Sequence, residues 1–263
     1  MTSTRHGLAG FPPSHDVLSR RHEEHVTDVS KSPDRIAGMF DAIAGRYDFL
    51  NHLLSAGIDR RWRKRAIRAL ALTGSERVLD LCTGTADLAI AAADARPGAA
   101  RVVGVDFAAA MLKVGTAKLR DRQLDRSVTL VRGDATRIPV ASGSVDRVTI
   151  AFGIRNVENT ALACSEIFRA LAPGGRLAIL EFAMPTTPVI RGAYRWYFNS
   201  VLPGIGRLVS RHNAAYAYLP ASVGAFASPG QFVNILRNAA FDDVQAVPLT
   251  FGIVYLFTAV KRI

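Results

Sequence analysis

Cysteine is scarce in this chain: two in 263 residues, Cys82 and Cys164, and neither stands in a metal-ligand or redox spacing. A disulfide framework is thereby excluded, and a reducing compartment fits. Long apolar runs are missing as well. The N-terminus has no apolar core of the kind that marks a secretory leader. Two stretches free of formal charge, 213–236 and 244–260, come nearest to a membrane span. The first is broken by Pro220, Pro229, Gln231 and several Ser and Asn; the second contains Pro248 and is shorter than the ~20 residues a spanning helix needs. A cytoplasmic protein is expected, soluble or peripheral on the inner face of a membrane. Acid is the third shortage. Against 33 Lys and Arg stand 22 Asp and Glu, a formal charge of +11, so the surface field favours polyanions, an anionic membrane or acidic ligands without choosing among them. No RNA-binding module or ribonucleoprotein aromatic pattern accompanies that charge, so nucleic acid is not expected as a partner. Oligomeric state is not legible, and a homo-oligomer stays open.

Apolar residues make up 49% of the chain and charged residues 21%, an ordinary composition for one α/β domain with extensions. Residues 1–31 mix His, Arg, Glu, Ser and Pro without periodicity and read as a mobile arm. His22 and His25 flank Glu23 and Glu24 there; a solvated tail accounts for them, and no metal site is expected. A helical pattern begins at Ser32 and Pro33, with Ile36, Met39, Phe40 and Ile43 on one stripe. Residues 59–72 read as a second helix with Trp62, Ala66, Ile67 and Leu70 facing inward. Its other face carries Arg60, Arg61, Arg63, Lys64, Arg65 and Arg68. That face reads as solvated, with anionic lipid headgroups as the functional alternative. Strand and helix signals then alternate, the mark of a parallel sheet wrapped by helices. Strands are expected at 77–82, 101–106, 128–132, 145–152 and 176–182, and helices at 86–95, 110–121 and 160–171. From Tyr194 to about Phe226 the chain turns helical and aromatic, and the cluster at 194–198 is expected to pack as helix core. A helix at 229–239 and strands at 244–247 and 252–260 complete the pattern.

The chemistry starts at 78–87, Val-Leu-Asp-Leu-Cys-Thr-Gly-Thr-Ala-Asp: a buried strand, a tight turn and a helix start. In doubly wound sheets a nucleotide-like ligand binds at that place. A dinucleotide turn uses three glycines so that backbone can approach a pyrophosphate. Here only Gly84 is in place, between Thr83 and Thr85, and no Gly-Lys-Ser/Thr ending follows. The turn suits a ligand without phosphates, which disfavours a nucleotide-dependent dehydrogenase. Asp80, at the strand's end, repels phosphate and attracts a sulfonium or ammonium. Asp106 lies 22 residues after Gly84, near the ~20 expected of a carboxylate that grips ribose hydroxyls. Asp134, between Gly133 and Ala135, follows the next strand, where a side chain can accept an adenine amino group. One acid at the tip of each of three successive strands, beside a one-glycine turn, is similar to the class I S-adenosylmethionine-dependent methyltransferases. That resemblance implies an α/β fold with a Rossmann-like seven-stranded sheet, an antiparallel final strand and, here, an N-terminal helical extension. It also implies S-adenosylmethionine as cofactor, held by Asp80, Thr83, Gly84, Thr85, Asp106, Asp134 and Ala135.

Two further blocks narrow the family. Tyr47-Asp48-Phe49-Leu50-Asn51-His52-Leu53-Leu54-Ser55, with Gly57 and Trp62, resembles the first signature of the quinone-biosynthesis C-methyltransferases, the demethylmenaquinone methyltransferase and 2-methoxy-6-polyprenyl-1,4-benzoquinol methylase family. Phe152-Gly153-Ile154-Arg155-Asn156-Val157 and the run 169–176 continued to Glu181 and Phe182 resemble its later signatures; Tyr216, Tyr218, Leu219, Ser222 and 252–254 also fit. The likeness runs from about Ser32 to the C-terminus. There are departures: Asp59 stands where the family usually has His, Ala172 where it has Lys, Ala183 and Ala151 where it has Ser, and Thr83 and Ala86 where glycines are frequent. The resemblance implies a lipophilic quinol substrate: demethylmenaquinol, or a polyprenyl benzoquinol on the ubiquinone route. It also implies a division of the chain into N-terminal helices (32–72), a cofactor-binding core (73–184), a helical substrate-side insertion (185–243) and C-terminal strands (244–263).

A hydroquinol carbon becomes nucleophilic as its neighbouring hydroxyl loses a proton, and a phenol's pKa of about 10 means that loss needs help. Arg155 follows the fourth strand, at the sheet's carboxyl edge. A guanidinium is a poor proton acceptor, so Arg155 is assigned phenolate stabilisation or the positioning of a basic water, against a structural ion pair. Tyr47 and Asp48 are the other catalytic candidates, and Asn51, Asn156 and Tyr218 are expected at the substrate. Tyr47, Asp48 and Asn51 either line the pocket or dock the N-terminal helix. An RNA methyltransferase and a non-catalytic cofactor sensor are the competing functions; no Asn/Asp-Pro-Pro-Tyr/Phe motif for base nitrogens supports the first.

Overall fold

Continuous apolar runs build the middle of the sheet. β1 (Arg77–Leu81) is buried at every position after the first, the pattern of a parallel strand with helices on both faces. In this computed structural model, which describes residues 31–95, 101–197, 200 and 213–263, β1 is joined by β2 (Arg101–Asp106), β3 (Val128–Arg132), β4 (Val145–Ala151), β5 (Leu171–Phe182), β6 (Asp242–Leu249) and β7 (Val254–Val260). The order is β3-β2-β1-β4-β5-β7-β6. Pairing is parallel throughout except for the two ladders made by β7. The expected Rossmann-like seven-stranded sheet with an antiparallel final strand is therefore present. The arm before Lys31, with its His22 and His25 cluster, lies outside the described residues.

The helices are α1 (Pro33–Leu54), α2 (Asp59–Ala69), α3 (Asp87–Ala95), α4 (Ala109–Asp121), α5 (Thr160–Ala170), α6 (Pro188–Trp196), α7 (Asn213–Ala225) and α8 (Pro229–Asn238). Local chemistry sets several starts. Asn159 caps α5 by accepting the Leu162 N–H, and Ser228 with Gln231 forms a capping box ahead of Pro229 on α8. Two expectations change. β5 starts at Leu171 rather than 176, because Leu171 turns extended and pairs with Val145 before residues 172–175 bulge away and pairing resumes at Arg176. The helical stretch expected from Tyr194 begins earlier, at Pro188, and resumes as α7; residues 201–212 and Phe198 lie outside the described residues.

Apolar side chains cover both sheet faces. Trp62, Ala66, Ile67 and Leu70 of α2 join Leu88 and Ala89 of α3 on one face. Ala163 and Ile167 of α5 join Phe232 and Leu236 of α8 on the other. Each fully buried Leu, Ile or Phe among them stabilises by about 1.5–3 kcal/mol. The inner face of α2 is as expected, but Arg63 is not on the solvated side. It is buried because Asp59, four residues earlier, and Asp87 of α3 give its charge partners. Arg60, Arg61, Lys64, Arg65 and Arg68 are exposed. The strand order reverses between β1 and β4, which opens a crevice at their carboxyl ends. Across it lies α1, whose Ala44 packs on Ala108 and Met111 and whose Asp41 accepts the Ala110 N–H at 2.8 Å.

Candidate active site

The crevice is shaped by strained backbone. Cys82, Gly84, Ala86 and Phe152 all have positive φ, between 54° and 68°, and such residues cluster where function needs a fixed turn. Gly153 is required by proximity: a Cβ there would stand 2.3 Å from the Cβ of Cys82. The turn is drawn onto β2 by the Thr83 N–H, which donates to the Val105 carbonyl at 3.0 Å.

The acids at the strand tips differ in environment. Asp80 is 1% exposed, and its oxygens accept the hydroxyls of Thr83 (2.5 Å) and Thr149 (2.7 Å). Burial pushes its carboxyl up to about 6 despite those donors. Asp106 accepts the Gly84 N–H at 2.8 Å on one oxygen and the Ala108 N–H at 2.9 Å on the other; burial holds its carboxyl above the ordinary value. Asp134 is exposed and accepts the Thr136 N–H at 2.7 Å. Three small hollows run along this edge. Asp80, Thr83, Gly84 and Thr85 line the first; Gly84 and Asp106 line the second with Phe107 and Asn156; Asp106, Asp134 and Ala135 line the third, again with Asn156. The seven residues expected on the cofactor side are thus contiguous.

Beside them lies a cavity of about 400 Å³, walled by α1, α2, α6 and α7 and the ends of β4 and β5. Phe152 and Phe182 stack at 4.5 Å, and Trp62 meets both edge-on at 6.0 and 6.4 Å. Tyr47 and Phe152 line this cavity and also two of the hollows, so the two spaces meet at these rings. Burial raises the Tyr47 hydroxyl, while its hydrogen bond to Asn51 and the charges of Arg155 and Arg63 pull it back. Tyr194 and Tyr197, expected as helix core, face the cavity, and Trp196 beside them is 64% exposed.

Arg155 is buried on the cavity wall. Its Nη1 donates to Glu181 Oε1 at 2.8 Å and to the Phe152 carbonyl, and its Nε donates to Ser222 at 3.3 Å. Its guanidinium lies 5.6 Å from the centre of the Phe182 ring. Glu181 is fully buried and also accepts the N–H groups of Arg155 and Phe182. Tyr218 lines the cavity, and its hydroxyl donates to Asn156 Oδ1 at 3.1 Å. Asn156 itself faces the cofactor-side hollows and not the cavity. Asn51 lines the cavity; Asp48 does not. The Asp48 carboxylate accepts the Thr85 hydroxyl and pairs with Lys118 at 2.7 Å.

The sequence reading missed Asp59 and Arg63 as parts of this wall, and Glu181 as the buried partner of Arg155 behind it. A signal existed for Glu181, an acid inside an otherwise apolar strand run from Leu177 to Phe182. Asp59 and Arg63 stand four residues apart on one helix, a spacing that pairs them, but the surrounding cations hid it. Among the described residues no group of His, Cys, Asp and Glu could hold a metal ion, and no helix is long and apolar enough to cross a membrane.

Comparison with known proteins agrees with this geometry. The chain is 47% identical over 225 residues to the ubiquinone/menaquinone biosynthesis C-methyltransferase UbiE of Syntrophotalea carbinolica, covering 86% of this chain and 93% of that one. It is 46% identical over 215 residues to the demethylmenaquinone methyltransferase of Thermus thermophilus, covering 82% and 96%. The solved structure of a SAM dependent methyltransferase from Aquifex aeolicus superimposes with a TM-score of 0.56 at 16% identity, covering 76% of this chain and 89% of that one; at that identity it speaks for the class I methyltransferase fold alone. The model of the ubiE/COQ5 methyltransferase family matches residues 27–261, and the chain belongs to that family.

Proposed function

We propose that the chain transfers a methyl group from S-adenosylmethionine to a ring carbon of a prenylated quinol, with demethylmenaquinol as the favoured acceptor and 2-methoxy-6-polyprenyl-1,4-benzoquinol as the alternative. One observation carries the reading: an aromatic-walled cavity holding the buried guanidinium of Arg155 meets the acid-lined edge at Tyr47 and Phe152. A flat apolar ring with ionisable oxygens is what such a cavity suits.

The edge fits the cofactor on its own chemistry. Asp106 accepts the Gly84 N–H on one oxygen and the Ala108 N–H on the other, with lone-pair capacity left for a ribose hydroxyl, and the turn lacks the three glycines of a pyrophosphate loop. Asp134 and Ala135 are read as the adenine end, and Asp80 with Thr83, Gly84 and Thr85 as the amino-acid end. When bound, S-adenosylmethionine supplies an electrophilic methyl group on a positively charged sulfur.

The chain's own residues align the acceptor, exclude water and stabilise the phenolate. Arg155 does the last. Glu181 and the Phe152 carbonyl fix its Nη1. Transfer to the neighbouring ring carbon would break the methyl–sulfur bond, leave S-adenosylhomocysteine and release one proton to water as the ring regains aromaticity. Tyr47 and Asn51 orient the ring where the two spaces meet. Asp48 is read as docking α1 over the cofactor turn through Thr85 and Lys118, and Asn156 with Tyr218 as closing the partition. Residues 32–72 and 185–243 form the acceptor side of this scheme, and 73–184 the cofactor core. A membrane-borne acceptor also gives a role to the concave basic surface of Arg61, Lys64, Arg65, Arg68 and Arg176, which runs to the exposed Phe251: contact with anionic headgroups.

Incubation with labelled S-adenosylmethionine and chemically reduced demethylmenaquinone is the direct test. Label should appear in a methylated quinone; its absence under reducing conditions, with the benzoquinol also inert, sinks the proposal.

A further inference from the structure

The cavity has a second polar wall, at the junction of α1 and α2, that phenolate stabilisation by Arg155 does not use. Asp59 and Arg63 are both more than nine-tenths buried, yet both line the cavity. Asp59 accepts the Ser55 hydroxyl at 2.9 Å, lies 2.8 Å from His52 Nδ1 and pairs with Nη1 of Arg63. Burial pushes the Asp59 carboxyl up, but His52, Arg63 and Ser55 together outweigh it and hold it below the ordinary value, so it stays a hydrogen-bond acceptor at neutral pH. Nη1 of Arg63 also lies 3.3 Å from Asp87. Its Nε is buried and has no hydrogen-bond partner among the described residues. A buried charged donor left unmet beside an apolar cavity is costly, and such groups call for an explanation.

We infer that Asp59 and Arg63 form a second oxygen subsite, which holds the other ring hydroxyl of the acceptor and thereby selects the reduced quinol over the quinone. The inference rests on the quinol reading above. A hydroxyl donates and accepts at once: its hydrogen goes to the Asp59 carboxylate, and its oxygen receives the Arg63 Nε–H. A quinone carbonyl only accepts, so it sets an acceptor against the Asp59 carboxylate. Sites built around a specific donor and acceptor reject analogues lacking the matching group far better than apolar pockets do. Asp59 and Arg63 are thus specificity residues for the redox state of the acceptor, distinct from the group that stabilises the reacting phenolate.

Binding can be measured on the full chain saturated with S-adenosylhomocysteine. The probe is 2-prenyl-1,4-naphthoquinone, oxidised or chemically reduced, followed by quenching of Trp62. Trp196, the other tryptophan, is removed by Trp196→Phe. Arg63→Lys keeps the charge beside Asp59 but lacks the Nε donor, and Asp59→Asn removes the acceptor charge. The parent should prefer the quinol, and each variant should cut that preference about tenfold. Retention of the full preference by a folded Arg63→Lys overturns the inference, whether or not Asp59→Asn folds. Loss of quinol methylation by the parent is a different result and overturns the functional reading itself.

Discussion

At the scale of single residues, the guanidinium of Arg155 illustrates how one group answers two demands. Glu181 beneath it is fully buried, so removing the cation leaves a carboxylate with no counter-charge, a loss of about 3–5 kcal/mol. Arg155→Ala should therefore melt early as well as lose transfer. Adding Glu181→Gln should return much of the stability without returning activity, which stays down by about 10²–10³. Thermal melts and labelled methyl transfer on the single and double variants separate the two effects; turnover restored together with stability would make Arg155 structural only. Gly153 makes a sharper steric case. Its missing Cβ is what lets the backbone at 153 lie on Cys82, so Gly153→Ala should cost about 1–3 kcal/mol by overpacking and displace Phe152 from the meeting point of the two spaces. A wild-type denaturation midpoint in that variant would refute the packing argument.

At the scale of elements, the entry to β1 is held by one carboxylate. Glu76 accepts the N–H and hydroxyl of Thr73 and the N–H of Gly74, each at 2.8 Å. Burial pushes it up, but the Gly74 and Thr73 donors outweigh burial and set it at about 2. A carboxyl lowered in the fold contributes stability that is present above its unfolded pKa of about 4.3 and is lost as pH falls toward 2. Glu76→Gln should cost roughly 2 kcal/mol at neutral pH and almost nothing near pH 2. Urea titrations at pH 7 and pH 3 measure the convergence; a constant gap would show that charge is not the cause. The same scale explains α2. Its apolar positions were legible as a stripe, but its polar face is divided, because α3 brings Asp87 against one flank and the remaining cations meet solvent.

At the scale of the molecule, charge and exposed apolar groups share one side of the C-terminal hairpin. Arg61, Lys64, Arg65, Arg68 and Arg176 line a concavity that reaches Phe251, a residue 77% exposed. Sedimentation with vesicles of anionic phospholipid should be strong at low salt and weak at high salt, each cation being worth about 1 kcal/mol near the surface. Reversing Arg61, Arg65 and Arg68 to Glu should abolish it; equal binding to neutral vesicles would refute the electrostatic reading. The alternation of strands and helices, the acids at the tips of β1, β2 and β3, and the one-glycine turn are legible in the order of amino acids alone, because period and turn chemistry are local and the parallel sheet places successive strand tips side by side. Family membership was legible in the same way, from the blocks at Tyr47 and Phe152. Which side chains share a wall depends on how the helices pack. Asp48 goes to Lys118, Arg63 turns inward to Asp59 and Asp87, and Tyr194 and Tyr197 face a cavity rather than a core. Two of those outcomes depend on partners far along the chain, Lys118 for Asp48 and Asp87 for Arg63, and the desolvation that selects among them exists only once the helices have closed over the sheet.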